Sequence, residues 1–204
     1  MTHPSRCAMP MLLALTITPL AGCAGLGAGG SGGSGAMVSD VTARELELRL
    51  PNRAAIVTDE NTADVYLTDL SPSTLDRIAG GDTPPEVSGT LVHIHIFLNP
   101  KPGRTPIEPT AANATARVVV LARGQVGVYD GAGFLLPGKS LRKNSASGTL
   151  RNAHTRLSRA SEGFEDLLGP TTLRVSFAAK NNEPEAERIA RVVRVLSAAA
   201  DPIE

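Results

Sequence analysis

The chain of 204 residues has little that reacts or stacks. It holds two cysteines, no tryptophan, two tyrosines and four phenylalanines. Few aromatics leave few platforms for stacking sugars or bases, which disfavours a polysaccharide or cell-wall binder. Net charge is also missing: 20 basic residues meet 20 acidic ones. A balanced chain is not a nucleic-acid binder by bulk electrostatics, so no nucleic-acid partner is expected. Several catalytic signatures are absent too. There is no Gly-x-Ser-x-Gly elbow and no phosphate-cradling P-loop. Ser140-Leu141-Arg142-Lys143 matches a Ser-x-x-Lys motif, but its companion motifs are missing, and a basic solvated loop explains it better. No catalytic residue and no cofactor site is assigned, and enzymatic activity is not expected.

What is present begins at the N-terminus. Met9 to Leu20 is an apolar run with Pro10 and Pro19 inside it. It is too short to span a bilayer, and its prolines oppose a spanning helix. Arg6 precedes it, and Leu20-Ala21-Gly22-Cys23 closes it. This is the layout of an export signal. The closing tetrapeptide resembles the lipobox of bacterial lipoproteins. The resemblance covers about the first twenty-four residues. It implies cleavage before Cys23, acylation of the Cys23 thiol and then of the new amine, and attachment to a membrane. Cysteine usage agrees, since Cys7 lies in the removed segment and Cys23 is the only other thiol. Ala24 after the cysteine points to the outer membrane, facing the periplasm, and a partner within the envelope is possible.

Residues 1–22 therefore read as a signal peptide and 23–36 as a lipidated cysteine with a Gly/Ser tether. Residues 37–204 read as one β-rich globular domain. The tether has almost no side chain to bury, so ordering it would cost entropy without return. Its Gly25, Gly27 and Gly30 mimic a dinucleotide fingerprint, but no strand precedes them and no helix follows.

Within the domain the dominant signal is alternation. Glu45–Leu50 places Leu46, Leu48 and Leu50 on one face and Glu45, Glu47 and Arg49 on the other, ending at Pro51 and Asn52. Ala54–Thr58 and Asp64–Thr68 are short strands. Ser71–Gly80 is a helix capped by Ser71, with Pro72 in its first turn and Gly80 as its stop. Ser88–Leu98 is a strand with Val92, Ile94, Ile96 and Leu98 on one face and Leu91, His93, His95 and Phe97 on the other. Asn99–Pro109 should be an irregular loop. Ala114–Leu121 and Gln125–Tyr129 form a hairpin around Ala122-Arg123-Gly124. Asp130–Gly133 is then expected to turn the chain into Phe134–Leu136, with the glycines of Gly124–Gly138 serving tight turns. Pro137–Ser147 is expected to be loop, Gly148–Ser158 and Thr171–Ala179 strands, and Ser161–Leu168 a helical turn. Asn182–Ala199 fits a helix with Ile189, Val192, Val193 and Leu196 inward and Asn182 with Glu185 as a capping box, although its valines also suit a strand. The fold expected is mainly β: an antiparallel sandwich or barrel-like domain with one or two helices, one C-terminal.

His93-Ile94-His95 is the one pattern with chemistry to weigh. Alternation puts both imidazoles on one face, roughly 6.6 Å apart along the strand. Such a pair can share a metal held at about 2.0–2.1 Å from each nitrogen. It is similar to strand-borne ligand pairs in cupins and copper/zinc superoxide dismutases. The further ligands those families require are not evident: the next acid is Glu108, and the domain has one other histidine, His154. The competing reading is two half-buried histidines in a cross-strand layer, carrying no metal. Tyr129 and Phe134 could form a shallow recognition surface or pack in the core. Arg188, Arg191 and Arg194 share a helix face that could meet an acidic partner or simply be solvated.

Overall fold

The computed structural model describes residues 33–82, 86–100, 111–138 and 144–203. Cys23, Glu108 and the Ser140–Lys143 motif lie outside the described residues, as does most of the proline-rich loop.

The described residues form ten strands, joined in one antiparallel sheet, and two helices. Strand β1 (Gly33–Ser39) pairs with β2 (Glu45–Leu50), and Pro51 bends the chain directly into β3 (Asn52–Val57). β4 (Ala63–Thr68) follows, then helix α1 (Pro72–Ala79) and β5 (Gly89–Ile96). β6 (Ala114–Ala122), β7 (Gln125–Pro137), β8 (Ser145–Ala160) and β9 (Thr171–Lys180) continue the sheet. Helix α2 (Glu183–Ala198) and the short β10 (Asp201–Pro202), which pairs with β8, end the chain. The strand order is β2-β1-β9-β8-β7-β6-β5-β4-β3. Because β2 and β3 are two halves of one bent stretch, the sheet curls into a nearly closed barrel. Asn181 and Asn182 draw the seam together: Asn182 N donates to Ala55 O at 3.0 Å, and Val57 N donates to Asn181 Oδ1 at 3.1 Å.

Alternation sorts the side chains into two cores. One fills the barrel, with Met37, Leu50, Leu67, Ile94, Leu150 and Val175 all fully buried. The other lies on the outer wall under the helices, where Leu75 and Ile78 of α1 and Ile189, Val192 and Leu196 of α2 cover Leu91, Val119 and Val128. Both helices form as their sequences suggest. Ser71 Oγ accepts from Thr74 N at 3.2 Å, and Pro72 occupies the first turn of α1. The face of α2 is the one its 3.6-residue periodicity gives. Among the described residues no helix is long and apolar enough to cross a membrane.

Several expectations need correction. Residues 33–36, read as tether, are the start of β1. Gly35 packs so closely on β9 that a Cβ would fall on the Arg174 carbonyl and lie 2.7 Å from Val175 Cα. The strand Glu45–Leu50 does end before Pro51, but Asn52 already begins the next one. The chain does not turn at Asp130–Gly133; β7 runs through to Pro137, with register shifts at Val128/Tyr129 and Ala132/Phe134. Gly124 does serve a turn, next to Arg123, with φ of 78° and 52°. Gly127, Gly131 and Gly133 instead allow close approach: a Cβ on Gly133 would sit 2.6 Å from Ala153 Cα, and one on Gly127 would overlap the Phe164 ring. Leu98 is 42% exposed rather than in the core. Ser145–Ser147 belong to β8, and Ser161–Leu168 contains turns and bends but no helix. Asn182 makes no side-chain cap, and Glu185 pairs with Arg188 at 3.2 Å in place of a capping box.

Candidate functional site on the barrel wall

Strand β5 leads from the covered wall to the open one. Its outward residues are Leu91, fully buried under the helices, then His93 and His95, half-buried; Phe97, just past its end, is 45% exposed. The two histidines stand where the helical cover stops.

The structure brings Asp64 to them. In the β4–β5 ladder Asp64 lies opposite His95, and Tyr66 opposite His93. Asp64 Oδ1 accepts from His93 Nε2 at 2.8 Å and from His95 Nδ1 at 3.0 Å. Two bonds to one oxygen place the proton of each neutral ring: on Nε2 in His93 and on Nδ1 in His95. The Tyr66 ring stacks on His93 with centroids 4.5 Å apart and planes 5° from parallel. Burial pushes the Asp64 carboxyl up, but the His93 and His95 hydrogen bonds outweigh it and hold the group below the usual carboxylate range. Burial raises the Tyr66 phenol and the Asp64 charge adds to this, while Arg194 of α2 opposes.

The cluster opens a longer polar belt. On β6, Arg117 lies opposite His93 and grips Asp130 of β7 with Nε–Oδ1 at 2.7 Å and Nη2–Oδ2 at 3.2 Å. Ser158 Oγ on β8 donates to Asp130 Oδ2 at 2.7 Å. Burial lifts Asp130, but the Arg117 and Ser158 hydrogen bonds and the nearby cations bring it below its ordinary value. Arg159 donates to the carbonyls of Ser197 and Ala200, at 3.3 and 3.0 Å. It thereby satisfies the C-terminal end of α2, whose last turn has no basic residue of its own. Wall and helix are joined at this belt.

The other residues singled out from the sequence lie apart. His154 is on β8, three strands from His95, where its Nδ1 is 3.7 Å from Asp40 Oδ2. It does not complete a set with His93 and His95. Among the described residues, no group of three or more His, Cys, Asp or Glu side chains is placed to hold a metal ion. Tyr129 is buried in the barrel and donates to Asp166 Oδ1 at 2.6 Å, so it is no surface platform. Arg188 pairs with Asp76 and Glu185, which ties α1 to α2. An open trough of about 920 Å³ lies elsewhere, on the outer face of β2, β1 and β9, with Ser34, Ala36 and Val38 as floor and Glu45, Glu47 and Arg174 at its sides.

Sequence reasoning missed Asp64, Tyr66, Arg117 and Asp130. The one available signal was that Asp64 and Tyr66 alternate with Val65 and Leu67 in a short strand, so an acid and an aromatic share its outward face. Which strand that face adjoins is a matter of register, which alternation does not specify. Comparison of the chain with family models, with curated proteins and with solved structures yields no match in any of the three.

Proposed function

We propose that this chain is a bacterial envelope lipoprotein, anchored through acylated Cys23 to the outer membrane and facing the periplasm. Its barrel domain is a non-catalytic binding or assembly module. One observation carries the reading: Leu20-Ala21-Gly22-Cys23 closes an export-type apolar run and holds the only cysteine beyond it. The position of the fold supports it. Strand β1 starts at Gly33, and residues 24–32 span roughly 30 Å at full stretch. A domain on so short a leash stays concentrated near envelope partners, which lets weak contacts suffice. Side chains fill the barrel interior. The outer wall is the surface a partner would meet.

The test is fractionation of cells expressing the full chain, with mass spectrometry of the N-terminal peptide. Wild type should be in the membrane fraction with acylated Cys23 at the mature N-terminus. Cys23→Ser should move the protein to the soluble fraction without changing its thermal unfolding. A wild-type protein that is soluble and unacylated would refute the anchor.

A further inference from the structure

We propose that the outer face of β2, β1 and β9 is where two copies of this chain meet, face to face about a twofold axis along β1, with Glu47 of each copy pairing with Arg174 of the other. One cross-strand row carries the inference. Ala36 lies opposite Glu47 on β2 and opposite Arg174 on β9, so an acid, a small residue and a base stand in line across the wall. The next row sets Val38 between Glu45 and Thr172. On the other side, Ser34 lies between Arg49 and Ser176. A barrel wall is convex, and the longer side chains on the flanking strands turn it into an open trough along β1.

Charge chooses among the ways in which two such faces can meet. A twofold axis along β1 turns β2 of one copy onto β9 of the other. Glu47 then faces Arg174 of the second copy, and Arg174 faces its Glu47, with Ala36 meeting Ala36 between them. An axis across the strands instead lays β2 on β2 and β9 on β9, which brings glutamates against glutamates and Arg174 against Arg174. Like charges brought together at an interface are strongly unfavourable, so the first arrangement wins. Both Glu47 and Arg174 are exposed. Glu47 also accepts from Arg49 of its own strand, at 2.9 and 3.2 Å. An exposed pair of that kind contributes little, and a carboxylate has lone pairs for a second guanidinium. Residues 24–32, which lead into β1, carry no charge and so offer neither side chain a competing ion pair.

The three strands share this face over roughly 20 Å by 14 Å, or about 300 Å² on each copy. A stable dimer buries about 800 Å² on each partner, so this contact is weak in dilute solution. The favoured axis runs both copies the same way, which puts both Gly33 ends on one side. That suits two chains held in one membrane, where a weak contact suffices. This last point rests on the anchor proposed above; the charge pairing does not.

The test is sedimentation equilibrium of the full chain carrying Cys23→Ser, which removes any acyl group, at concentrations up to about 1 mM. The chain should dimerise, with a dissociation constant that rises with salt. Glu47→Arg and Arg174→Glu should each raise that constant at least about tenfold, because each reverses two pairs per dimer. Mixed in equal amounts, the two variants should associate with each other at least as tightly as wild type does with itself, since both contacts between them again join opposite charges. A wild type that stays monomeric throughout would overturn the proposal. If those monomeric variants also melt lower, the face belongs to another segment of the same chain. Association lost in the variants and not restored by mixing would overturn it as well. So would Glu47→Arg binding wild type more tightly than it binds Arg174→Glu, which is the behaviour of the other axis.

Discussion

Gly35 offers the sharpest test of where the fold begins, because its neighbours upstream look the same in sequence. It lies in β1, with Leu48 of β2 on one side and Val175 of β9 on the other. A Cβ added there would overlap the Arg174 carbonyl oxygen and come within 2.7 Å of Val175 Cα. The obstacle is backbone, so no rotamer change removes it. β1 would have to move off β9, and six register pairs from Ser34 to Ser39 hold it there. Overpacking of this kind costs about 1–3 kcal/mol, and the smaller entropy loss of alanine on folding returns about 0.4–1 kcal/mol. Gly35→Ala should therefore destabilise the protein by about 1–2 kcal/mol. In a domain of this size that lowers Tm by about 2–8 °C. Urea unfolding followed by circular dichroism should show a lower midpoint with the slope unchanged. Gly30→Ala, in the run read as tether, should leave the midpoint in place. Equal stability of Gly35→Ala and wild type would refute the placement of residues 33–36 in the sheet.

Other perturbations test the remaining contacts. Asp64 is held below the usual carboxylate range, so its stabilising contribution is fully present above its unfolded value, near 4, and disappears as pH falls through the lower folded one. Unfolding of wild type and Asp64→Asn should accordingly differ at pH 5 and converge near pH 2; a gap that persists in acid would show that charge is not the cause. Tyr129→Phe removes the 2.6 Å bond to Asp166, which also accepts from the Leu168 and Gly169 amides. It should cost about 1 kcal/mol and speed proteolytic nicking within residues 161–170, and unchanged nicking would count against the bond as the anchor of that loop. Arg159→Ala strips donors from the Ser197 and Ala200 carbonyls at the end of α2. Amide exchange should accelerate in the last turn of α2 while its first turn is unchanged, and a uniform effect would contradict the local capping role.

The parts of the fold that were legible in the sequence are those governed by neighbours along the chain. Ser71, Pro72 and Gly80 delimit α1 through local hydrogen bonding and local φ. Alternation in Glu45–Leu50 and periodicity in α2 report which side faces a core, and both are right. Glycine was the main source of error, because one composition serves opposite ends. Gly124 gives a turn through positive φ, whereas Gly35, Gly131 and Gly133 give close strand packing with extended backbone. Only the neighbouring strand separates the two cases, and that strand is distant in sequence. The candidate site obeys the same division. His93 and His95 were visible because their spacing places them on one face. Asp64, about thirty residues earlier, joins them only through the β4–β5 register, and Asp130 joins only through β6 and β7. An isolated acid in a short strand carries no mark of the histidine it will meet. What joins this His-x-His pair to a carboxylate is therefore tertiary pairing, which no spacing along the chain reports.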